Sequence, residues 1–230
     1  FVAGVNAGNS IVSGGNYNTV VGDEAGTAIT TADDCTAVGK SALQANTTGF
    51  AQTAVGSGAL ATSTGSENTA VGYLALNNSA GATSNTAVGY RSLDTNTTAN
   101  NNTSVGHLAM YANTTGADNT ALGQIALRNN TTGYNNTAVG KSSLFTNTTG
   151  ASNSALGLGA LYANTTGNFN NALGYNALGA NTTGSENTAT GSFALNANTT
   201  GSQNTANGYD ALYLNTTGNN NTGLGYYALF

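Results

Sequence analysis

A chain of 230 residues with 4 Lys+Arg, 9 Asp+Glu and a net charge of −5 has too little positive charge to neutralise phosphates, so no nucleic-acid partner is expected. Charged residues make up 6% of it, against roughly 25% in ordinary soluble domains, and no apolar run approaches the ~18 residues of a membrane span, so no membrane insertion is expected. Asn (36) and Thr (38) supply about a third of the positions, and a single Cys cannot staple a fold or build a thiolate metal site.

In chain order, residues 1–17 fall outside any repeat and read as an N-terminal arm or an irregular first coil. Residues 18–230 are governed by one phrase, Asn-Thr-Ala-Val-Gly, whose glycine recurs at Gly22, Gly39, Gly56, Gly72, Gly89, Gly106, Gly123, Gly140, Gly157, Gly174, Gly191, Gly208 and Gly225. Every step is 17 residues except Gly56 to Gly72, which is 16 and carries Ser63-Thr64-Gly65 where most repeats carry Asn-Thr-Thr-Gly. The full phrase is Gly-x-x-Ala-Leu-x-x-Asn-Thr-Thr-Gly-x-x-Asn-Thr-Ala-Val.

Such a period is too short for a pair of helices, and Asn, Thr and Gly are poor helix formers. It fits one turn of a parallel β-roll, so the expected fold is all-β: a β-solenoid of about 13 coils with 17 residues per coil. Asn-Thr-Ala-Val-Gly is expected to form one strand, the Ala-Leu-x-x stretch a second, and Asn-Thr-Thr-Gly a bend whose Gly takes positive φ. Two apolar ridges are expected inside. One is the slot before the anchor glycine, from Val21 and Val38 to Leu173 and Leu224; the other runs from Leu43 and Leu60 to Leu229. The first ridge is broken at Thr190 and Asn207, where weaker packing is expected. So thin a core needs help from stacked Asn and Thr side chains. Thirteen rungs at ~4.8 Å make a rod of roughly 60 Å.

These phrases resemble two overlapping groups of surface fibres. Asn-Thr-Ala-Val-Gly at this spacing is similar to the head repeats of trimeric autotransporter adhesins. That resemblance implies a left-handed parallel β-roll, three of which pack together. Gly-Tyr-x-Ala-Leu-x-x-Asn-Thr-Thr-Gly resembles repeats of bacterial and phage tail-fibre-like proteins. The resemblance spans about Asn18 to Phe230, without the coiled-coil stalk, membrane anchor or chaperone domain of those groups.

The chain opens Phe1-Val2-Ala3-Gly4-Val5 and finishes Tyr226-Tyr227-Ala228-Leu229-Phe230, apolar and uncharged at both ends. Phe1, Val2, Val5, Tyr226, Tyr227, Leu229 and Phe230 are therefore expected to be assembly contacts, through end-to-end stacking or strand addition to a neighbour. A chain cut from a longer protein leaves the same pattern.

Chemistry-bearing residues are few. His107 follows an anchor glycine in a slot that elsewhere holds Lys40, Tyr73 or Gln124, which marks it as solvent-facing. Cys35 replaces the Asn found at Asn68 and Asn85, as a small buried substitute or an intermolecular thiol. Asp23, Glu24, Asp33 and Asp34 gather in one coil without a calcium-loop spacing, and read as a solvated acidic rung. The bends carry Asn-x-Thr glycosylation acceptors at Asn46, Asn96, Asn113, Asn130, Asn147, Asn164, Asn181, Asn198 and Asn215. Tyr73, Tyr90, Tyr175, Tyr209 and Tyr226 share the slot after glycine and are expected to form lateral stripes for packing or carbohydrate contact.

The expected function is that of a non-enzymatic extracellular structural protein, with neither catalytic residues nor a metal or cofactor, forming a surface or biofilm filament by end-to-end stacking. The alternative is a trimeric adhesin head or phage tail-fibre module on a cell-surface receptor. Its partners are copies of itself, with cell-surface carbohydrate or protein as further candidates.

Overall fold

The computed structural model describes residues 4–230, so the expected contacts Phe1 and Val2 lie outside the described residues. The chain divides into two compact units, Phe1–Thr115 and Gly116–Phe230. The first carries β1 (Thr19–Val21), β2 (Thr36–Val38), β3 (Thr53–Val55), β4 (Thr69–Val71), β5 (Thr86–Val88) and β6 (Thr103–Val105). The second carries β7 (Thr120–Leu122), β8 (Thr137–Val139), β9 (Ser154–Leu156), β10 (Asn171–Leu173), β11 (Thr188–Thr190), β12 (Thr205–Asn207) and β13 (Thr222–Leu224). Each unit is a parallel β-solenoid of about 17 residues per turn, and among the described residues there is no helix.

Register follows the repeat without slippage. Thr36, Ala37 and Val38 pair with Thr53, Ala54 and Val55, and Asn171 pairs with Thr188 in the second unit. Across the shortened coil Thr53 still faces Thr69, because the missing residue falls in a bend and not in a strand.

Two expectations about the coil are corrected. The Ala-Leu stretch is not a second strand. In the coil after Gly140 it is a chain of tight turns, with Ser143 N–H donating to Gly140 O at 3.4 Å and Asn147 N–H to Leu144 O at 3.2 Å. Ser142 and Leu144 sit at φ 60° and 50°, and Ser152 further round the coil at φ 57°. Left-handed residues reverse the chain in a few steps, where an extended strand would overshoot so narrow a loop.

The other correction concerns the core. Alternation along a three-residue strand puts only its central residue inside. In ten of the thirteen strands that residue is Ala: Ala37, Ala54, Ala70, Ala87, Ala121, Ala138, Ala155, Ala172, Ala189 and Ala206 are fully buried. The Val slot faces outward, with Val55, Val71, Val105 and Leu122 each more than a third exposed. Thr190 and Asn207 therefore do not interrupt the core, since both lie on the outer face. The inner apolar ridge is Leu43, Leu60, Leu76, Leu93 and Met110 in the first unit and Leu127, Leu144, Leu161, Leu178 and Leu195 in the second, all fully buried.

The anchor glycines explain themselves. Gly157 has φ +134°, and a Cβ on it would lie 2.4 Å from the carbonyl oxygen of Gly174 in the next coil. Both the backbone conformation and the space exclude a side chain there. The bend glycines Gly133 and Gly150 do not use positive φ, contrary to expectation. A Cβ on Gly150 would meet Asn147 Oδ1 at 2.4 Å, so the residue is bare to let that amide in.

Residues 5–16 are laid on the following coil of their own chain. Glu24 N–H donates to Val5 O at 2.9 Å, Gly8 N–H to Ala25 O at 3.0 Å, and Asn16 N–H to Asp33 Oδ1 at 2.7 Å. They lie along that coil as an irregular segment without a strand.

Candidate functional site

Half of each coil's interior is polar, and its geometry settles what the repeated Asn residues do. In the second unit Asn136 and Asn147 lie on opposite sides of one coil, and both donate through Nδ2 to the same carbonyl, Gly150 O, each at 2.9 Å. Asn153 and Asn164 share Gly167 O in the next coil, and Asn170 and Asn181 share Gly184 O after that. A carbonyl has two lone pairs, so each bend oxygen is saturated by two amides.

The amides also bond along the axis. Asn147, Asn164, Asn181 and Asn198 each donate to Oδ1 of the Asn one coil earlier, at 2.8–2.9 Å. A Thr ladder runs beside them: Thr148, Thr165 and Thr182 Oγ1 donate to the carbonyls of Thr165, Thr182 and Thr199 at 2.9–3.1 Å. Buried polar groups cost free energy unless bonded, and here almost every one is.

The expected glycosylation acceptors belong to this interior. Asn46, Asn96, Asn113, Asn130, Asn147, Asn164, Asn181 and Asn198 are fully buried and Asn215 is half-buried. A glycan takes the Nδ2 atom, and each of these nine donates from Nδ2 to another group of the coil.

What remains outside is a flank of apolar and aromatic side chains. In the first unit Val55, Val71 and Val105 are exposed, and Tyr73, Tyr90 and His107 stand one turn apart beside them. Their rings stack at 5.5 Å and 5.3 Å, within 16° of parallel. His107 is thus a member of an aromatic stack. Arg91 lies over Tyr111, 4.8 Å from the ring centre, and its Nε holds buried Asp94 at 2.6 Å. In the second unit Leu156, Leu158, Leu173 and Tyr175 are exposed.

Of the expected assembly contacts, Val5 is 69% exposed in the first unit, and Tyr226, Leu229 and Phe230 are more than half exposed in the second. Tyr226 and Tyr227 meet at 4.5 Å, Tyr227 and Phe230 at 5.1 Å, and Tyr226 stacks on Tyr209 at 5.6 Å. The structure gathers these C-terminal aromatics into one cluster that the sequence showed only as separate stripes.

Cys35 is buried, its Sγ 3.3 Å from Gly49 O, and burial pushes its thiol above the ordinary value. In the acidic coil Asp33 accepts from Asn16, and Glu24 Oε2 accepts from Ser41 and Gln44, each at 3.2 Å. No known protein family, no curated protein and no solved structure matches this chain.

Proposed function

We propose that this chain is a non-enzymatic, extracellular structural protein whose coils stack end to end into a surface filament. The observation that carries the reading is translational: in the second unit successive coils receive from one neighbour the same bonds that they offer to the next. Backbone, Asn and Thr ladders all repeat on the 17-residue step. A surface of that kind is complementary to a copy of itself, and a contact that repeats without closing yields a filament. The scarcity of charge supports it, since like charges stacked on successive rungs repel. The single His and the single Cys are tied into structure here, His107 in the ring stack and Cys35 in the interior.

A second reading has its own observation. The outward Val and Leu stripe is an apolar sheet face, and such a face fits lateral packing of several coils, as in a trimeric adhesin head or tail-fibre module presented to a cell-surface carbohydrate or protein. Electron microscopy of the purified chain at rising concentration, with mass measurement alongside, separates the two. Filaments lengthening with concentration are expected. Discrete trimers would favour the adhesin reading, and a monomer at all concentrations would remove both.

A further inference from the structure

The second unit holds a buried acidic side chain that neither reading uses. Asp210 stands two residues after Gly208, in the slot that Asn176 and Phe193 fill in the coils before it. It is only 7% exposed, and its Oδ1 has no hydrogen-bond partner. The carboxylate lines an open cleft of about 260 Å³ whose other walls are Phe193, Tyr209, Tyr213 and Phe230.

The walls are braced by other rings. Phe193 stands edge-on to Tyr209 and Tyr213, 6.3 Å from each, Tyr213 stacks on Phe230 at 5.5 Å, and Tyr209 stacks on Tyr226 at 5.6 Å. A cleft built this way needs little ordering on binding.

A buried carboxylate is costly without a counter-charge. The sequence supplies none nearby: no Lys, Arg or His follows Lys141, and Arg128 is engaged over Phe145. Four aromatic walls around a buried carboxylate define a fitting partner by its chemistry. It is a cation with an apolar envelope, attracted by the ring faces and neutralised by the carboxylate. A neutral sugar would leave the charge uncompensated. A hard metal ion would want several oxygen ligands where the cleft offers one carboxylate.

We propose that this cleft binds a quaternary or methylated ammonium group. Phe230 is shared with the expected assembly contacts, so the titrations are run at a concentration at which mass measurement shows single chains. The test is titration of the 230-residue chain with choline chloride at constant ionic strength, read by tyrosine ring NMR shifts and calorimetry. Parallel titrations use 3,3-dimethylbutanol, the uncharged isostere of choline, and trimethyl-lysine. Saturable binding of choline, at least tenfold tighter than its isostere, is expected. Asp210→Asn should weaken it at least tenfold while melting no lower than the parent, since it removes a buried charge. Tyr213→Leu keeps the carboxylate and the apolar bulk but loses a ring face, and should weaken choline severalfold. Tighter binding of trimethyl-lysine than of choline supports the site and identifies a protein side chain as the source of the cation. Equal affinity for choline and its isostere, absence of binding, or unchanged affinity in Asp210→Asn overturns the proposal.

Discussion

Ser63 Oγ donates to Gln52 Oε1 at 2.9 Å across the interior of the one coil that is 16 residues long. Regular coils place an Asn at both positions. Here one side chain is longer by a methylene and the other shorter, so the span between them is kept while the bend loses a residue. Gln52 Nε2 still reaches toward Gly49 O, at 3.5 Å. One coil later Ser79 fills the same slot as Ser63, and its buried hydroxyl has no partner.

The two serines should therefore respond oppositely to the same change. Ser63→Ala leaves Gln52 Oε1 unsatisfied and should cost about 1–3 kcal/mol, whereas Ser79→Ala removes an unpaired hydroxyl and should be neutral or stabilising by about 1 kcal/mol. Denaturant midpoints of the two variants decide it.

Asn147 joins three partners, since its amide donates to Asn130 and Gly150 and accepts from Asn164. Asn147→Ala should cost about 2–4 kcal/mol through the partners left bare. Asn147→Asp should cost at least as much at neutral pH, because a carboxylate has no hydrogen to give Asn130 Oδ1. Chemical denaturation at pH 7 tests both.

The outward direction of the last strand residue has a paired test at Ala155 and Leu156, fully buried and 40% exposed respectively. Ala155→Val overfills the coil and should cost about 1–3 kcal/mol. Leu156→Ser should change the stability of the single chain by about 1 kcal/mol or less and lower any lateral association, read by sedimentation.

Gly157→Ala combines a backbone conformation hostile to L side chains with a Cβ set against the next coil's carbonyl. A loss of about 2–4 kcal/mol is expected, larger than an exposed Ser→Ala change elsewhere on the coil. Thermal melts of the two variants give the comparison.

Cys35 is shielded twice, by burial of the sulfur and by the raised thiol pKa that burial, against the opposing Gln52 backbone hydrogen bond, produces. Less thiolate is present at a given pH, so alkylation by iodoacetamide at pH 8 should run at least tenfold slower in the folded chain than in denaturant. Equal rates would show that the thiol is open to solvent.

The coil was legible from the sequence because translation leaves its signature in the spacing of Gly, Leu and Asn. The inside of the strand was not. Size argued for Val38 and Val55 over Ala37 and Ala54, yet the loop is so narrow that a methyl group is all that fits opposite the Leu ridge. The left-handed residues were hidden for a different reason. Leu144, Leu161 and Leu178 adopt φ of 50–52° although nothing in a leucine favours it, and the conformation is imposed by tight closure of the coil. The aromatic cleft escaped notice because its members are separated by whole repeats, and only stacking sets Phe193, Tyr213 and Phe230 around Asp210.

The column from Asn130 to Asn198 has one more property. All four of its inter-coil bonds point the same way, from each Nδ2 to the oxygen of the preceding residue. Aligned amides polarise one another, so their moments add instead of cancelling. The interior is an electret one side chain wide, and a copy laid on it upside down would set oxygen against oxygen. Polarity written into that column makes its two ends chemically different, one offering amide hydrogens and the other amide oxygens.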